Sequence, residues 1–426
     1  MFAGNAPAST VRFELDSALL DSAGGVEVAN PEPSQDVAKR HFDVNQIAPL
    51  GSHWREIYEL QRELKWFWTT YAKGHWVLLE PVAIREAFQS PEIFSSVSEV
   101  AAEPDPSYTW IPTNVDPPEH VKYRQILNSW FAPKAVDALT PSAASWCETL
   151  VERIRPQGRC EFMSEFASLY PAGVFLASLG LPASDLGKMV NWVRTIFDNL
   201  RHPDLAHKLS AAMGEVRGYF STAIAEREEA PLDPALDFIS HLLRSEVDGR
   251  LLSVDEILNM CVVLVMAGVE TTTGQLGYMF HHLAANPDDR HRLIAQPELI
   301  PRAVEEFLRA HPIVLPGRKV TRDVEFHGCP MRKGDMVMLP IPAVNRSNET
   351  VSQPDEVVLD RPELNRHIAF GLGAHRCLGI HLARRELATA LRTWHEVIPD
   401  YSVDEAETLV ERGGLLGLVR LPLVWS

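Results

Sequence analysis

Three short stretches of the sequence carry side chains that could do chemistry. The first is the loop 370–379, where Cys377 follows two glycines, precedes Gly379 and has His375 as a near neighbour. A cysteine thiolate is a good soft metal ligand, and the start of the helical pattern that follows would favour its negative charge. Cys377 and His375 could instead form a nucleophile and its base, or Cys377 could be a buried thiol. The loop alone leaves all three readings open.

The second stretch lies in the middle of a long apolar helix. Ser253 and Glu256 form a capping box, and the helical pattern continues to about Ala285, just before Asn286-Pro287. Some thirty residues at 1.5 Å each give a helix of about 45 Å. Its first half is apolar nearly all round, so we expect it to be buried.

Polar residues interrupt this helix at Glu270 and Thr271. A buried carboxylate or hydroxyl is costly unless it is hydrogen-bonded or used. Ala267 and Gly268 would leave room for a ligand against the helix wall. We predict a proton-handling site that faces the Cys377 loop; the alternative is a kink produced by a threonine hydroxyl that bonds back to the helix.

The third stretch combines a proline-rich loop, 97–118, with the helix that follows it. The loop carries Tyr108, which together with the nearby Trp110 and Thr113 suits a lid over an apolar ligand; anchoring of the loop to the core is an equal alternative. His120 and Arg124 are four residues apart and share a helix face, which suits an anionic ligand.

Composition narrows the class of protein. The chain has 426 residues, 46% apolar content and a net charge of −17, which argues against a nucleic-acid binder. Its five cysteines are scattered without a CxxC, which fits a reducing compartment and argues against a zinc ribbon. Because we find neither a signal peptide nor an apolar run of about 18 residues, we expect a cytoplasmic protein without a membrane span.

The order of patterns predicts a mainly α-helical fold with a small β region. We expect a loosely ordered arm over 1–45 and a single domain over 46–426. A helix is predicted from His53 to Trp68 and a strand from Gly74 to Glu80. Paired strands are predicted over 318–339, between two mostly helical regions.

Taken together, these stretches resemble the cytochrome P450 family of haem-thiolate monooxygenases. The family's haem-binding pattern Phe-x-x-Gly-x-His-x-Cys-x-Gly is matched by Phe370, Gly373, His375, Cys377 and Gly379. The segment 267–271 resembles the oxygen-activating part of the family's long central helix. Glu306 and Arg309 resemble its Glu-x-x-Arg pair, which is structural and which Arg361 would join.

The resemblance implies a haem b cofactor whose iron is bound by the Cys377 thiolate. It places the haem propionates on His120, Arg124, Arg318 and His375. Other haem contacts would come from Ala267, Gly268, Phe370 and Gly379. Thr271 would position oxygen and an ordered water, and Glu270 would relay protons from solvent.

Within the family, the chain looks similar to the bacterial class I enzymes that oxidise camphor and related terpenoids. This implies that O2 is used to hydroxylate a small apolar monoterpenoid or norisoprenoid that is camphor-, cineole- or ionone-like. Tyr108 would donate a hydrogen bond to a ketone. The remaining pocket residues would be Trp110, Thr113, Val263, Met266, Val314 and Leu415. Pro316 stands where the camphor enzyme has an aspartate, which puts camphor itself in doubt.

The chain carries no flavin or iron–sulfur segment, so the resemblance implies an external electron donor. We expect a [2Fe–2S] ferredoxin with its NAD(P)H-dependent reductase. A basic patch of Arg124, Arg384 and Arg385 would dock this acidic partner, unless Arg384 and Arg385 only form a solvated helix face. Two rival functions are a haem-thiolate protein that binds or senses a ligand without oxygenation and a haem-free cysteine hydrolase.

Overall fold

Helices form most of the protein, in the part of the chain that the structure describes. The structure is a computed structural model and describes residues 37–106, 108–199, 206–404 and 406–426. Its α-helices are α1 (Ser52–Glu63), α2 (Pro81–Phe88), α3 (Glu119–Asn128), α4 (Pro133–Ile154), α5 (Leu169–Ser178), α6 (Leu186–Asn199), α7 (Ala206–Glu229), α8 (Phe238–Leu243), α9 (Val254–Ala285), α10 (Pro287–Ala295), α11 (Ile300–Ala310), α12 (Ile341–Asn345) and α13 (Ile380–Val397).

The strands are short and gather in five small sheets. They are β1 (Lys39–Arg40), β2 (Ala48–Pro49), β3 (Trp66–Thr69), β4 (His75–Leu78), β5 (Phe94–Ser95), β6 (Arg159–Glu161), β7 (Glu246–Val247), β8 (Arg250–Leu251), β9 (Gly317–Val320), β10 (Val324–Phe326), β11 (Cys329–Met331), β12 (Met336–Met338), β13 (Ser402–Val403), β14 (Val410–Arg412), β15 (Gly417–Leu418) and β16 (Pro422–Val424). The largest sheet has six strands in the order β1-β3-β4-β12-β9-β5. The predicted mainly α fold with a small β region is confirmed.

The N-terminal part of the helix predicted over 53–68 is present, but the C-terminal part is a strand. Helix α1 ends at Glu63, and Trp66–Thr69 pairs antiparallel with His75–Leu78. Aromatic side chains favour a half-buried pleated surface. Trp68 and Trp76 pack edge to face across this hairpin at 5.1 Å between ring centroids, so the cross-strand contact decides the local structure.

The predicted arm has a well-packed end. Its residues 1–36 lie outside the described residues. Lys39–Arg40 pairs in parallel with β3, and both Phe42 and Val44 are buried. Buried apolar residues then continue through the chain to Leu423 in one hydrophobic cluster.

Helix α9 has the predicted start and end. The Ser253 side chain accepts from the Glu256 amide while the Glu256 carboxylate accepts from the Ser253 amide, which completes the predicted capping box. The helix has 32 residues and packs against α5, α6 and α7. It is long and apolar enough to cross a membrane, but 78% of its most apolar window is buried inside the protein, as in a core helix.

A buried ion cluster ties α11 to the segment that leads into the cysteine loop. Arg309 donates two hydrogen bonds of 2.8 Å to the Glu306 carboxylate. Arg361 donates to both oxygens of the same carboxylate at 3.0 Å. All three side chains are buried, and the prediction that Arg361 joins the pair is confirmed.

Candidate active site

The cysteine loop is a tight turn that delivers Cys377 to the start of α13. The Cys377 amide donates to the Phe370 carbonyl at 2.8 Å, and α13 begins directly after its N-cap residue, Gly379. Gly373 has a φ of +70°, and a Cβ there would lie 2.4 Å from the carbonyl oxygen of Phe88. This position therefore requires glycine, because the loop lies against the end of α2.

The surroundings of Cys377 suit a metal ligand better than a free nucleophile. Burial raises the pKa of its thiol, although the Gly379 amide and the charges of nearby arginines oppose this shift. A nucleophilic cysteine needs a lowered pKa and a base within reach. The ring of His375 instead packs on the ring of His120, with centroids 4.1 Å apart.

His120, His375 and Arg318 form a buried group of hydrogen-bond donors. Both ring nitrogens of His120 and Nε2 of His375 have no hydrogen-bond partner among the described residues. Burial and the Arg124 charge lower the pKa of His120 to about 4, and burial with the His120 charge lowers that of His375 to about 3. Buried polar atoms in native proteins are normally satisfied, so this group has the character of a ligand site.

The two arginines of the predicted set have different surroundings. Arg318 on β9 is buried, lies over the Phe88 ring at 5.5 Å and donates to the carbonyl of Gly317 at 2.7 Å. Arg124 on α3 donates to the Arg376 carbonyl at 2.5 Å. Arg124 therefore joins α3 to the cysteine loop itself.

One face of α9 carries the predicted catalytic and pocket residues of that helix. Positions 263, 266, 267, 270 and 271 follow the spacing of a single helix face. Val263 and Met266 are buried, but Ala267 is exposed and Thr271 is half-buried in a helix whose surroundings are otherwise closed. The helix wall therefore faces open space at Ala267 and Thr271.

Gly268 differs from its neighbour Ala267. A Cβ at Gly268 would lie 2.8 Å from a ring carbon of Phe175 on α5. The missing side chain therefore serves the packing of α5 against α9. The sequence predicted that Gly268 leaves room for a ligand, but the space on its Cβ side is filled by the Phe175 ring.

The three consecutive threonines of α9 make three kinds of hydrogen bond. Thr271 donates back to the Ala267 carbonyl at 2.8 Å, and the helix stays α-helical through this turn. Thr272 donates to the Glu386 carboxyl at 3.2 Å, which connects α9 to the helix after the cysteine loop. Thr273 donates to the carbonyls of Val269 and Ala167. Of the three residues, only Thr271 lies on the open face.

Glu270 has a charged partner that sequence reasoning missed. The Arg412 guanidinium on β14 forms an ion pair with the buried Glu270 carboxylate, and Asp198 lies 3.8 Å from Arg412 on its other side. Arg412 is far from Glu270 along the chain, and no local motif marks it. The acid of the predicted proton relay is thus held by a strand outside α9.

The predicted pocket residues come from the loop 97–118, α9 and the C-terminal hairpin. Tyr108 and Trp110 stack with ring centroids 4.4 Å apart, and the Tyr108 hydroxyl donates to Glu103 at 2.9 Å. Val314 and Leu415 pair through an isolated β-bridge. The backbone beside Leu415 crosses α9 at Gly274, where a Cβ would lie 3.0 Å from the Leu416 carbonyl oxygen. Thr113 is half-buried.

The predicted basic patch is largely neutralised by carboxylates. Arg384 donates two hydrogen bonds to Glu305 at 2.5 and 2.8 Å, and Arg385 pairs with Asp137. Burial raises the pKa of Glu305, but hydrogen bonds from Arg384 and His367 outweigh it and lower this pKa to about 2.

A cleft of about 820 Å³ lies beside the cysteine loop. Most of its charged lining residues are basic: Arg85, Arg366, His367, Arg376 and Arg384, with Glu305 and Glu349 as acids. The positive surface near the loop therefore extends beyond the predicted patch.

The residues present fit a haem group. A carboxylate-binding set needs buried donors and a cation, and His120, His375 and Arg318 supply both. A thiolate is a suitable ligand for a soft metal, and Cys377, which would supply it, lies in the same loop as His375. The open wall of α9 at Ala267 and Thr271 admits a flat ligand.

Comparisons with known proteins agree with this fit. The family model described as "Cytochrome P450" matches residues 44–394. The curated "Probable cytochrome P450 127A1" of Sinorhizobium fredii is 31% identical over 411 residues, which cover 96% of this chain and 94% of that protein. The "Steroid C26-monooxygenase" of Mycolicibacterium smegmatis is 31% identical over 322 residues, or 75% of this chain and 79% of that protein.

A solved structure also matches. The crystal structure of CYP101J2 superposes with a TM-score of 0.83 at 31% identity, and the match covers 93% of this chain and 100% of that chain. The chain therefore belongs to the cytochrome P450 family of monooxygenases, which use haem b.

Proposed function

We propose that this monooxygenase hydroxylates a small apolar terpenoid of the camphor, cineole or ionone type. The observation that carries the proposal is an apolar set with one phenol. Val263 and Met266 are buried on the open face of α9, and Val314 pairs with Leu415. Tyr108 is the phenol predicted for this set, and to bind a substrate oxygen its hydroxyl would exchange the hydrogen bond that it donates to Glu103.

In this proposal, the Cys377 thiolate would hold the haem iron. The donors that hold the propionates are His120, Arg124, Arg318 and His375. When bound, the haem supplies the oxygen-activating chemistry, which an axial thiolate promotes. The protein supplies orientation: the two histidines offer unpartnered ring nitrogens, and the buried Arg318 offers a positive charge.

Further haem contacts come from both sides of the site. We assign them to Ala267, Gly268, Phe370 and Gly379. Ala267 lies on the open face of α9, and Gly268 contributes its backbone, because its Cβ side faces Phe175. Phe370 is half-buried beneath Arg384, which lies 4.8 Å above its ring.

Thr271 and Glu270 handle protons in this proposal. The Thr271 hydroxyl donates to the Ala267 carbonyl, so its oxygen can accept a hydrogen bond from an ordered water. Glu270 passes protons from solvent towards that water. Its ion pair with Arg412 holds the carboxylate in position beside α9.

Electrons come from a [2Fe–2S] ferredoxin and its NAD(P)H-dependent reductase, and the proposed docking surface lies beside the cysteine loop. The basic lining of the cleft supports this, as does Arg385 on α13.

We also propose a cytoplasmic protein in which residues 46–426 form one haem domain. The continuous hydrophobic cluster supports the single domain.

An absorbance spectrum of the reduced, carbon-monoxide-treated protein tests the haem assignment. A Soret band near about 450 nm is the expectation for thiolate-bound haem. The Cys377→Ala variant should lose this band. Its persistence in that variant would contradict the ligand assignment.

A substrate screen tests the terpenoid assignment. Small oxygenated terpenoids should shift the haem spin state on binding. The Tyr108→Phe variant should lose more affinity for ketones than for hydrocarbons of equal size. A matched panel of steroids is the comparison set. Spin-state shifts from steroids and none from terpenoids would overturn the assignment.

A further inference from the structure

The carboxyl group of Glu99 lies beside the proposed propionate donors. Its Oε1 is 3.9 Å from Nη1 of Arg318, and its side chain is 30% exposed. Burial raises the pKa of Glu99, and the Arg318 charge opposes this shift. Sequence reasoning assigned no role to this residue.

The backbone fixes Glu99 in this position. The Gly317 amide donates to the Glu99 carbonyl at 2.7 Å, next to Arg318 on β9. A Cβ at Gly317 would lie 2.6 Å from the Ala101 nitrogen. The first turn of the loop 97–118 is thus packed directly on β9, which holds the backbone of Glu99 beside Arg318.

The charged group that faces Glu99 is Arg318 on β9. Arg318 in turn lies near Asp116, which precedes α3, and near His375 in the cysteine loop, which also lies near His120 and Arg124 on α3. Asp116 is satisfied by hydrogen bonds from the Ser95 hydroxyl at 2.5 Å and the Ser96 amide at 2.8 Å. Glu99 therefore competes with an incoming carboxylate for Arg318.

A haem propionate on Arg318 adds a negative charge next to Glu99. Two carboxylates that share one site cannot both be ionised easily, so a further negative charge nearby favours a proton on one of them. The propionate also has the neutral histidines as donors. Glu99 is the carboxyl that is better placed to become neutral, and a neutral carboxylic acid can donate one hydrogen bond.

We propose that Glu99 shares Arg318 with a haem propionate as an ionised carboxylate while the haem iron is oxidised, and that it takes up a proton from solvent and binds the propionate as a neutral carboxylic acid when the iron is reduced. The inference rests on the proposed placement of the propionates. Reduction adds one electron from the external donor and leaves one more negative charge near Glu99. A proton on the Glu99 carboxylate balances that charge.

This linkage makes the reduction potential depend on pH. The potential falls as pH rises through the range between the Glu99 pKa values of the oxidised and reduced forms. For a one-electron couple, a tenfold change in proton activity corresponds to at most about 59 mV. Above and below that range, Glu99 contributes no slope.

The experiment is a spectroelectrochemical titration of the haem-loaded protein between about pH 5.5 and pH 8.5. We expect the wild type to show a falling potential and Glu99→Gln to lose most of this slope and keep the potential that the wild type has at low pH. Glutamine keeps a hydrogen-bond donor and cannot titrate. Glu99→Asp should keep a slope, displaced along the pH axis.

Asp105→Asn is the matched control. Asp105 lies on the same loop and pairs with Lys319, the neighbour of Arg318 on β9, at 2.5 Å, but it is 78% exposed. It should keep the wild-type slope.

Each other outcome overturns the inference. Equal slopes in Glu99→Gln and the wild type, loss of the slope in Asp105→Asn, or loss of haem from Glu99→Gln would each contradict it. The carbon-monoxide spectrum separates this failure from that of the proposed function. A wild type without the band near about 450 nm fails the haem assignment, whereas a normal band with an unchanged slope fails Glu99 alone.

Discussion

Two clusters of buried polar side chains differ in how their hydrogen-bonding atoms are satisfied. In the first, Glu306 receives four hydrogen bonds from Arg309 and Arg361, and the two arginines also donate to backbone carbonyls. In the second, the ring nitrogens of His120 and Nε2 of His375 have no partner within the described ranges, beside the buried Arg318.

The difference separates a structural cluster from a binding cluster. Both contain buried arginine, so burial and charge alone do not tell them apart. A satisfied cluster has nothing left to offer a ligand, and its removal should be felt by the fold. An unsatisfied cluster costs stability in the free protein and regains it on binding. Substitutions in each of the two clusters test this contrast.

The largest effect is expected for Glu306→Gln. The variant leaves two buried arginines without a carboxylate, which should lower the free energy of unfolding by about 3–5 kcal/mol. Urea unfolding measures it. Glu119→Gln is the control, because it breaks an exposed pair with Lys122 at 2.7 Å and should leave the unfolding midpoint nearly unchanged. Equal midpoints for the two variants would contradict a structural role.

Glu386 is intermediate between the satisfied and the unsatisfied cluster. The Thr272 hydroxyl donates a hydrogen bond to its carboxyl. Burial raises its pKa from 4.5 to about 8, so the folded protein keeps a proton that the unfolded chain loses. Stability should therefore fall as pH rises from about 4.5 to about 8, by several kcal/mol at about 1.4 kcal/mol per pKa unit. Glu386→Gln should remove this dependence.

Urea unfolding at a series of pH values measures the Glu386 effect. The difference between wild type and variant should grow with pH, because glutamine mimics the protonated form throughout. A difference that stays constant would show that Glu386 does not hold its proton in the folded protein.

The binding cluster should respond in the opposite way. His120→Leu removes unpartnered buried nitrogens, so the haem-free protein should be as stable as the wild type or more stable. Haem affinity should fall by about 10–100-fold, the value of a lost charge-assisted hydrogen bond of about 1.5–3 kcal/mol. Haem transfer to an excess of an acceptor protein measures the affinity.

His75→Leu is the matched control for His120→Leu. His75 is also buried, both of its ring nitrogens also lack a partner among the described residues, and burial lowers its pKa to about 3. It lines a separate small cavity with Asn45 and Gly414. Its removal should leave haem affinity unchanged. An equal loss of affinity in both variants would contradict the distinction.

What the sequence predicts correctly is mostly local. The start and end of α9 follow from Ser253, Glu256 and Asn286-Pro287, which are neighbours of the helix ends. Contacts between residues that are distant in sequence cannot be predicted from such local patterns. The strand at Trp66–Thr69 depends on pairing with β4, whereas the helical pattern that starts at His53 predicts a helix through Trp68.

The candidate site shows the same limit. The motif residues are recognisable one stretch at a time, but their second partners lie on other elements. Arg412 beside Glu270, Glu99 beside Arg318 and Glu103 beside Tyr108 have no sequence signal of their own. Gly268 was assigned to the ligand because nothing in the sequence indicates that Phe175 packs on it.

Thr271 and Thr273 repeat the contrast between the clusters on one helix. Thr271 faces the open side of α9, whereas Thr273 is buried and bonded to two carbonyls. Thr271→Ala should leave haem and substrate binding intact but divert reducing equivalents to peroxide. The amounts of product and peroxide formed per NAD(P)H consumed measure how the reducing equivalents divide between the two. Thr273→Ala is the control: it should lower the stability of the protein and keep NAD(P)H consumption coupled to product formation. Fully coupled turnover in Thr271→Ala would refute the proton-handling role of Thr271.

The smallest effect is expected at the surface, where water satisfies both partners of an ion pair. Arg385→Glu breaks a pair with Asp137 on exposed surface near the cysteine loop, so it should barely change stability. If an acidic ferredoxin docks there, reduction by the ferredoxin should slow several-fold at low ionic strength and recover as salt screens the charges.

Arg420→Glu is the control for this surface test, because Arg420 is an exposed arginine paired with Glu407 at 3.0 Å in the C-terminal region. Stopped-flow reduction of both variants over a range of salt concentrations separates the alternatives. A rate lost in Arg385→Glu alone, and only at low salt, indicates steering of the partner to this face. Equal rates in the two variants would leave Arg385 and Asp137 as a solvated pair with no part in electron transfer.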